Sequence, residues 1–229
     1  GHQVRVVSIG ESGKDKFGVP EAHYKLVTRI SHKQGFCFAT PDEKVFRKAF
    51  KGADIVHFFL PFPFERKAAK IARQMGIPTS AAFHLQPENI TYNIHCEKVE
   101  LLSVGFYRFA HRYFYKDFNH IHCPSKFIAG ELRKNGYKQK LYVISNGVDD
   151  EFRPMEVEKV TDPEKFNILM IGRLSYEKKQ DILLKAVERS KYADKIQVYL
   201  AGHGPCEKAL RKQGETMKNP PIFGFYTKE

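Results

Sequence analysis

The stretch from Phe166 to Asp181, FNILMIGRLSYEKKQD, carries the pattern on which the fold prediction depends. An apolar run, Ile168 to Ile171, is followed directly by Gly172 and Arg173. Two further cations follow at Lys178-Lys179, and a helical pattern of apolar residues begins after them. We therefore predict a buried strand, a short cationic loop and a helix, in that order.

This order suits a phosphate site. The carboxyl ends of parallel strands open onto the ligand crevice in α/β proteins, and the start of a helix adds backbone N–H groups and a favourable dipole. The guanidinium of Arg173 can grip phosphate oxygens with two parallel N–H bonds, while Lys178 supplies a point charge. The alternative interpretation is a strand end followed by solvated cations before a surface helix.

Strand and helix patterns alternate along most of the chain, on both sides of a charged, proline-bearing linker at 149–165. Such alternation favours the α/β class, with parallel sheets and right-handed crossovers. Residues 14–20 are polar and contain glycine and proline, which predicts a mobile loop. The predicted strands are 4–9, 54–60, 78–83, 120–123, 141–145, 168–171, 196–200 and 222–225, and the predicted helices are 42–50, 65–75, 98–115, 126–135, 182–190 and 207–213.

The composition limits the partners. The 229 residues carry a formal net charge of +12, which indicates an acidic partner such as nucleotide phosphates, anionic lipid or nucleic acid. No run approaches the ~18 apolar residues of a membrane-spanning helix, and the start of the chain lacks the pattern of a signal peptide. The four cysteines form no C-x-x-C pair, which favours reduced thiols in a cytoplasmic protein.

Two short motifs in the second half resemble one family. They are G-R-L-x-x-E-K at Gly172 to Lys178 and A-G-x-G-P at Ala201 to Pro205, and they look like the donor half of the family-4 retaining glycosyltransferases. Where family members often have glycine after the motif lysine, this chain has Lys179. C-P-S-K-F at Cys123 to Phe127 and S-N-G-V-D at Ser145 to Asp149 also match.

The resemblance implies two facing Rossmann-like domains with parallel sheets, the GT-B architecture. We expect an N-terminal acceptor-binding domain at 1–154 and a C-terminal nucleotide-sugar donor-binding domain at 155–229. Family members have further elements before and after the segments that match, so we expect the chain to be truncated, with an incomplete C-terminal domain. The implied donor-diphosphate ligands are Arg173 and Lys178, with Gly172 beside them.

His84 is the predicted catalytic contact. It follows the predicted strand at 78–83, and family members carry a histidine at the corresponding strand end, against the donor sugar. The alternative is a loop histidine bonded to backbone. Glu88 and Asn89, in the loop after it, are candidate contacts to donor or acceptor hydroxyls, although turn chemistry explains them equally well. Gly204 would allow close approach of a nucleotide, and His57 is predicted to be a core histidine.

The run Q-P-E-N-x-T-Y-N at Gln86 to Asn93 resembles the lipid-glucosylating branch of the family, the diacylglycerol glucosyltransferases. This resemblance implies UDP-glucose as donor and a membrane glycolipid precursor such as diacylglycerol as acceptor. Basic and aromatic residues of the helices at 65–75 and 98–115 suggest contact with anionic lipid headgroups, so we expect a cytoplasmic protein peripheral to the membrane. The alternative is that each helix packs one face against the core and exposes the other to water, without contact with lipid.

Metal is not indicated and no cofactor is expected, because the chain has neither zinc-type Cys/His spacing nor an Asp-x-Asp. Two other functions remain open on the sequence: a basic nucleic-acid- or anion-binding module without catalysis, and another sugar-nucleotide enzyme such as an epimerase. Nucleic acid is not expected, because no zinc-finger, RNP-like or heptad pattern is visible.

Overall fold

The computed structural model describes residues 1–24, 28, 31–32, 36–84, 100–154, 156 and 162–224. These residues form two compact units, and in this part of the chain the first ends at Val148 and the second begins at Asp149. Each unit has its own core of buried apolar side chains. Within the described residues no helix is both long and apolar enough to cross a membrane.

The first unit contains two parallel sheets. Strands β1 (Val6–Ile9) and β2 (Lys16–Val19) pair with each other. A four-stranded sheet has the order β3-β4-β5-β6, with β3 at Val56–Phe58, β4 at Thr79–Ala82, β5 at His120–Cys123 and β6 at Lys140–Val143. Every pair in it is parallel.

Helices with described bounds connect or flank these strands of the first unit. Helix α1 is Glu43–Phe50, α2 is Pro63–Gln74, α3 is Glu100–Tyr113 and α4 is Lys126–Lys134. Asp42 and Ser125 cap α1 and α4 by accepting hydrogen bonds from first-turn amides. A single 3-10 turn, Tyr115–Asp117, follows α3.

The second unit has a three-stranded parallel sheet in the order β7-β8-β9. The strands are β7 (Phe166–Ile171), β8 (Ile196–Ala201) and β9 (Ile222–Gly224), with helices α5 (Gln180–Glu188) and α6 (Glu207–Gly214) between them. The predicted α/β class with parallel sheets is confirmed.

Three local predictions are wrong. Residues 14–20 contain β2 rather than a loop, because Gly18 lets the strand lie against Gly10: a Cβ at Gly18 would sit 2.0 Å from the Gly10 carbonyl oxygen. Helix α2 begins at Pro63 and not at the predicted residue 65, because a proline at the first helical position forfeits no hydrogen bond. Strand β7 is only partly buried, since Leu169 is 61% and Ile171 74% exposed on this outer strand of the described sheet.

Candidate active site

The loop after β7 is held against the loop after β8 by backbone contacts. Gly172 N–H donates to the Ala201 carbonyl across 2.9 Å, and Leu174 N–H donates to the His203 carbonyl across 2.9 Å. Gly172 has a φ of 145° and Gly202 a φ of 152°, a region that favours glycine. A Cβ at Gly202 would lie 2.0 Å from the Gly172 oxygen, so the two motif loops meet with no room for a side chain.

Arg173 is fixed by its neighbours on this loop. Its Nη2 donates to Glu177 Oε1 across 2.8 Å, and Ser175 Oγ donates to the same oxygen across 2.6 Å. The buried amide of Gln180 donates to the Arg173 carbonyl across 2.9 Å. The guanidinium side chain is still 41% exposed. It is therefore positioned by the protein and open to an anion.

Glu177 is ionised in this setting. Burial by itself would raise the pKa of its carboxyl, but hydrogen bonds from Ser175 and Arg173 outweigh the burial and hold that pKa below its usual value. Its Oε2 is buried and has no hydrogen-bond partner in the part of the chain that the structure describes. The sequence places Glu177 in the G-R-L-x-x-E-K motif, but no role in holding Arg173 was predicted for it.

Lys178 lies in a 3-10 turn, Tyr176–Lys178, just before α5. Its side chain is exposed and forms no ion pair with the described residues. Lys179 has a left-handed φ of 55° and precedes Gln180, the first residue of α5, without capping the helix by its side chain. The structure thus brings Arg173, Lys178 and the start of α5 onto one loop, as predicted, and a basic loop at a helix start attracts phosphate.

Gly204 has a structural explanation. A Cβ there would lie 2.2 Å from the Leu174 carbonyl oxygen and 2.7 Å from the Leu174 nitrogen. The glycine is needed for close contact between protein backbones, whether or not it also contacts a ligand. Beside it, His203 Nδ1 lies 3.2 Å from Glu207 Oε2, and Arg211 donates to the other oxygen of that carboxylate.

In the first unit, His84 follows β4 by two residues and lies in a group of aromatic rings. Its imidazole stacks on Phe59, with centroids 5.7 Å apart and planes inclined by 18°, and meets His122 edge-on with centroids 5.4 Å apart. His122 Nε2 donates to the Ile144 carbonyl across 2.7 Å, which fixes a proton on that nitrogen. The three rings come from the ends of neighbouring strands.

Electrostatics keeps His84 neutral near pH 7. Burial lowers the pKa of its imidazole, and repulsion by His122 lowers it further. The pKa of His57 is lowered by burial first and then by His122 and His84. Neighbouring groups cover the imidazole enough to lower its pKa, but His57 as a whole residue is exposed and is not the predicted core histidine. Its side chain lies on the face of β3 opposite to the buried Val56 and Phe58, and its Nδ1 lies 2.8 Å from Ser80 Oγ.

The remaining predicted contacts, Glu88 and Asn89, lie outside the described residues. One metal-type cluster occurs among the residues that are described: ligand atoms of Glu21, His32 and Cys37 all lie within 4.8 Å of one another, and the histidine is hydrogen-bonded to the glutamate. These residues do not follow a zinc spacing, so sequence reasoning had no signal for them.

Comparison with curated proteins gives two relatives. The chain is 27% identical over 178 residues to the alpha-monoglucosyldiacylglycerol synthase of Streptococcus pneumoniae, covering 72% of this chain and 40% of that protein. It is 28% identical over 166 residues to the GDP-mannose-dependent alpha-mannosyltransferase of Corynebacterium glutamicum, covering 69% and 38%. The chain thus matches about two fifths of the length of each relative.

A solved structure shares the fold. The Anabaena protein HepE, crystallised with UDP and glucose, superposes with a TM-score of 0.55 at 17% identity, over 80% of this chain and 50% of that one. At this identity the similarity concerns the fold alone.

Two family models divide the chain between them. The model "Glycosyltransferase Family 4" matches residues 1–152, and "Glycosyl transferases group 1" matches residues 152–226. The predicted family is thereby confirmed from segments far wider than the motifs that suggested it: this chain belongs to family 4 of the glycosyltransferases.

Proposed function

We propose that this chain acts in a retaining glycosyltransferase that moves a hexose from a nucleoside-diphosphate sugar to an acceptor hydroxyl. The second unit binds the donor and the first unit binds the acceptor. UDP-glucose is the proposed donor, and a membrane glycolipid precursor such as diacylglycerol is the proposed acceptor. The name of the streptococcal relative supports transfer of a glucosyl group and diacylglycerol as part of the acceptor, whereas the name of the mannosyltransferase keeps GDP-mannose as the alternative donor.

The observation that carries the proposal is the cationic loop between β7 and α5. A hydrogen bond of 2.8 Å from Arg173 Nη2 to Glu177 Oε1 holds the guanidinium, which is still partly exposed to solvent. Lys178 is exposed just before the helix starts. When the bond to the sugar breaks, negative charge grows on the departing diphosphate. Fixed cations that meet this charge lower the barrier without reorganising, and such electrostatic stabilisation commonly contributes most of the rate enhancement. No metal is required for this step.

His84 is proposed to position the donor sugar. A neutral imidazole can donate one hydrogen bond and accept another, which suits sugar hydroxyls and phosphate oxygens. Phe59 and His122 limit the orientations of the ring. His84 is therefore proposed to act by contacting the donor sugar and its phosphate.

Titration of UDP into the chain by calorimetry tests the donor site. We expect saturable binding that falls by about 10- to 100-fold in Arg173→Ala and in Lys178→Ala, since each change removes a charge-assisted contact. Arg189→Ala and Lys208→Ala remove exposed cations of the same unit outside the loop and serve as matched controls. Equal UDP affinity in all four variants would show that the loop between β7 and α5 does not bind the diphosphate.

Donor and acceptor are tested by turnover. The protein is incubated with UDP-glucose or GDP-mannose and with vesicles that contain diacylglycerol, and products are separated by chromatography. Glucosyl-diacylglycerol is the expected product, and His84→Ala should lower its rate at least ~100-fold. A mannosylated product, or transfer only to a water-soluble acceptor, would overturn the proposed pair while leaving the diphosphate site intact.

An arginine groove on the first unit supports contact with an anionic membrane. Arg66 of α2 and the arginines Arg108 and Arg112 of α3 line an open groove of about 480 Å³. Arg66 lies over the ring of Tyr113, 4.5 Å from its centroid. Beside it, Phe109 is 60% exposed and stacks on the same tyrosine. Cations around an exposed aromatic side chain match the headgroup region of a bilayer.

Vesicle sedimentation tests this surface. Binding to vesicles with phosphatidylglycerol should exceed binding to pure phosphatidylcholine, and Arg108→Ala with Arg112→Ala should weaken it about 30-fold, because two cations at ~1 kcal/mol each contribute about 2 kcal/mol. Lys126→Ala with Lys138→Ala removes two exposed cations of the same unit outside the groove and should have little effect. Equal losses in both double variants would indicate general charge attraction instead of a defined surface.

A further inference from the structure

Three side chains of different chemistry meet in the segment between β2 and α1. They belong to Glu21, His32 and Cys37, here called the Glu-His-Cys cluster, and their ligand atoms all lie within 4.8 Å of one another. The backbones of Glu21 and Ala39 pair in an antiparallel bridge. This pairing brings Cys37, two residues before Ala39, close to the glutamate.

The backbone around the other two side chains is also held in place. Phe36 N–H donates to the Ser31 carbonyl across 2.9 Å, and Ser31, the residue before His32, is buried. The rings of Phe36 and Phe38, which flank the cysteine, pack on Phe62 with centroids 5.5 and 5.2 Å away. The histidine and the cysteine are thus carried by backbone that other parts of the unit fix.

Both of these side chains point to the same carboxylate. His32 Nε2 is hydrogen-bonded to Glu21 Oε1, and the thiol of Cys37 donates to the Glu21 side chain. The side chain of Glu21 is 22% exposed and that of His32 is 46% exposed, and Cys37 is exposed as well. An imidazole nitrogen, a carboxylate oxygen and a sulfur therefore converge at a place that an ion can reach from solvent.

This set of donor atoms selects the ion. A thiolate together with an imidazole suits zinc, whereas magnesium and calcium prefer shells made of oxygen atoms. A carboxylate and a thiolate together carry two negative charges, which neutralise the charge of Zn²⁺. Three protein ligands leave the fourth position of a tetrahedral zinc ion to water.

The distances suit zinc with little rearrangement. Zinc binds sulfur at ~2.3 Å and nitrogen or oxygen at about 2.0 to 2.2 Å, so two ligand atoms of one tetrahedral ion are separated by roughly 3 to 4 Å. The atoms of the cluster lie within 4.8 Å of one another before any ion is added. Small rotations of exposed side chains are enough to close the site.

We propose that the Glu-His-Cys cluster binds one zinc ion through Glu21, His32 Nε2 and Cys37 Sγ. The ion connects the segment that follows β2 to the segment that precedes α1. This proposal departs from the sequence-based expectation that no metal is bound. It is independent of the proposed transfer reaction, because none of the three ligands is assigned to the donor or to the acceptor.

Calorimetric titration of the reduced, metal-free chain with zinc chloride tests the site, and magnesium chloride is the comparison. We expect one zinc ion per chain and no binding of magnesium, which requires an octahedral shell of oxygen atoms. A chain that binds no zinc would overturn the proposal, and the cluster would then be a hydrogen-bonded group alone. Equal binding of both ions would overturn it too.

Single variants locate the ion. Removal of any one of three protein ligands should weaken zinc binding at least ~30-fold, because each supplies a coordination bond. The ligand variants are Glu21→Gln, His32→Ala and Cys37→Ser. The matched controls, which should keep the affinity of the unaltered chain, are Glu43→Gln, His120→Ala and Cys206→Ser.

The outcome of the variant series is decisive when the proteins are folded, which circular dichroism establishes. Cys206 precedes the first residue of α6, a position at which serine is favoured, so its replacement is compatible with the fold. Unchanged zinc affinity in any folded ligand variant would overturn the assignment of that ligand set.

Substitution of cobalt for zinc shows directly whether sulfur is a ligand. Co²⁺ bound to a thiolate has a sulfur-to-metal charge-transfer band in the near ultraviolet. We expect this band in the unaltered chain and in Cys206→Ser, its loss in Cys37→Ser, and its disappearance when zinc displaces cobalt. An unaltered chain that bound cobalt without this band would exclude Cys37 as a ligand and overturn the proposal.

Discussion

The guanidinium of Arg173 donates to the carboxylate of Glu177 across 2.8 Å, and the two side chains differ sharply in exposure, at 41% and 7%. The carboxylate is buried and anchored by Ser175, while the cation reaches solvent. A mobile arginine must lose side-chain freedom when it binds a phosphate, at a cost of up to about 2 kcal/mol. Glu177 already restricts the conformations of Arg173 in the folded protein, so the arginine loses less conformational entropy when the ligand binds.

The first prediction concerns this restraint. Glu177→Gln keeps the shape of the side chain but weakens its hold on Arg173, so we expect the dissociation constant for UDP to rise about fivefold to tenfold. Calorimetry measures the change. Glu188→Gln, at the far end of α5, is the matched control and should leave UDP affinity unaltered. Tighter UDP binding in Glu177→Gln would mean that the carboxylate competes with the ligand for Arg173 instead of positioning it.

A second prediction concerns the contact between the two glycine-bearing loops. Gly202→Ala places a Cβ 2.0 Å from the Gly172 oxygen at a φ of 152°, so we expect a loss of about 3 kcal/mol in the free energy of unfolding. Urea denaturation of the chain measures the loss.

The control for Gly202→Ala is Gly130→Ala. Gly130 lies inside α4 and an added Cβ there meets nothing within 4 Å. Alanine should raise the free energy of unfolding by about 0.5 to 1 kcal/mol at this position, because glycine is the poorer helix former. Similar losses in both variants would show that the close approach of the loops is not what requires glycine at position 202.

A third prediction follows from Glu65, the third residue of α2. Burial raises the pKa of its carboxyl from the ordinary 4.5 to about 7 in the folded state, so the folded protein holds this proton more tightly than the unfolded chain. The resulting stabilisation is complete below pH 4.5 and is lost as the pH rises to about 7, a change of about 3 kcal/mol.

Glu65→Gln removes that pH dependence, because an amide does not titrate in this range. Urea denaturation between pH 4.5 and about 8 should therefore give a flatter stability profile and a more stable variant at the alkaline end. Glu43→Gln, which alters an exposed first-turn glutamate of α1, should retain the slope of the unaltered chain. An unchanged slope in Glu65→Gln would show that the Glu65 carboxyl is hydrated.

Sequence reasoning succeeds where chemistry and local pattern coincide. The apolar run before Gly172 is a strand, and Arg173 and Lys178 lie on the loop after it, because periodicity and glycine geometry act over a few residues. Their binding of a diphosphate stays a prediction. Ser125 caps α4 for the same local reason. The strands and helices of the second unit could thus be predicted almost element by element.

The errors arise where distant residues decide the structure. Gly18 looks like a loop residue in sequence, yet it lies in β2 because it must pass close to Gly10. Neither the burial of Glu65 nor the proximity of His122 to His84 could be predicted, since both depend on how separate segments pack. The ion pair between Arg173 and Glu177 could have been predicted, because a spacing of four residues is common for ion pairs.

The last prediction concerns the pKa of His84. Two physical effects hold the pKa of its imidazole below 6.5: burial beside Phe59, and repulsion from His122. His122→Gln removes the repulsion and leaves the burial, so the pKa of His84 should rise but stay below 6.5. An NMR titration that follows the ring protons of the histidines measures it in the intact chain. His120→Gln is the matched control, because His120 lies on the same strand but contacts Tyr142 instead of His84. If His122→Gln left the His84 pKa unchanged, burial alone would set it. If both histidine variants raised it equally, the cause would be the net charge of the unit and not the contact between the two rings.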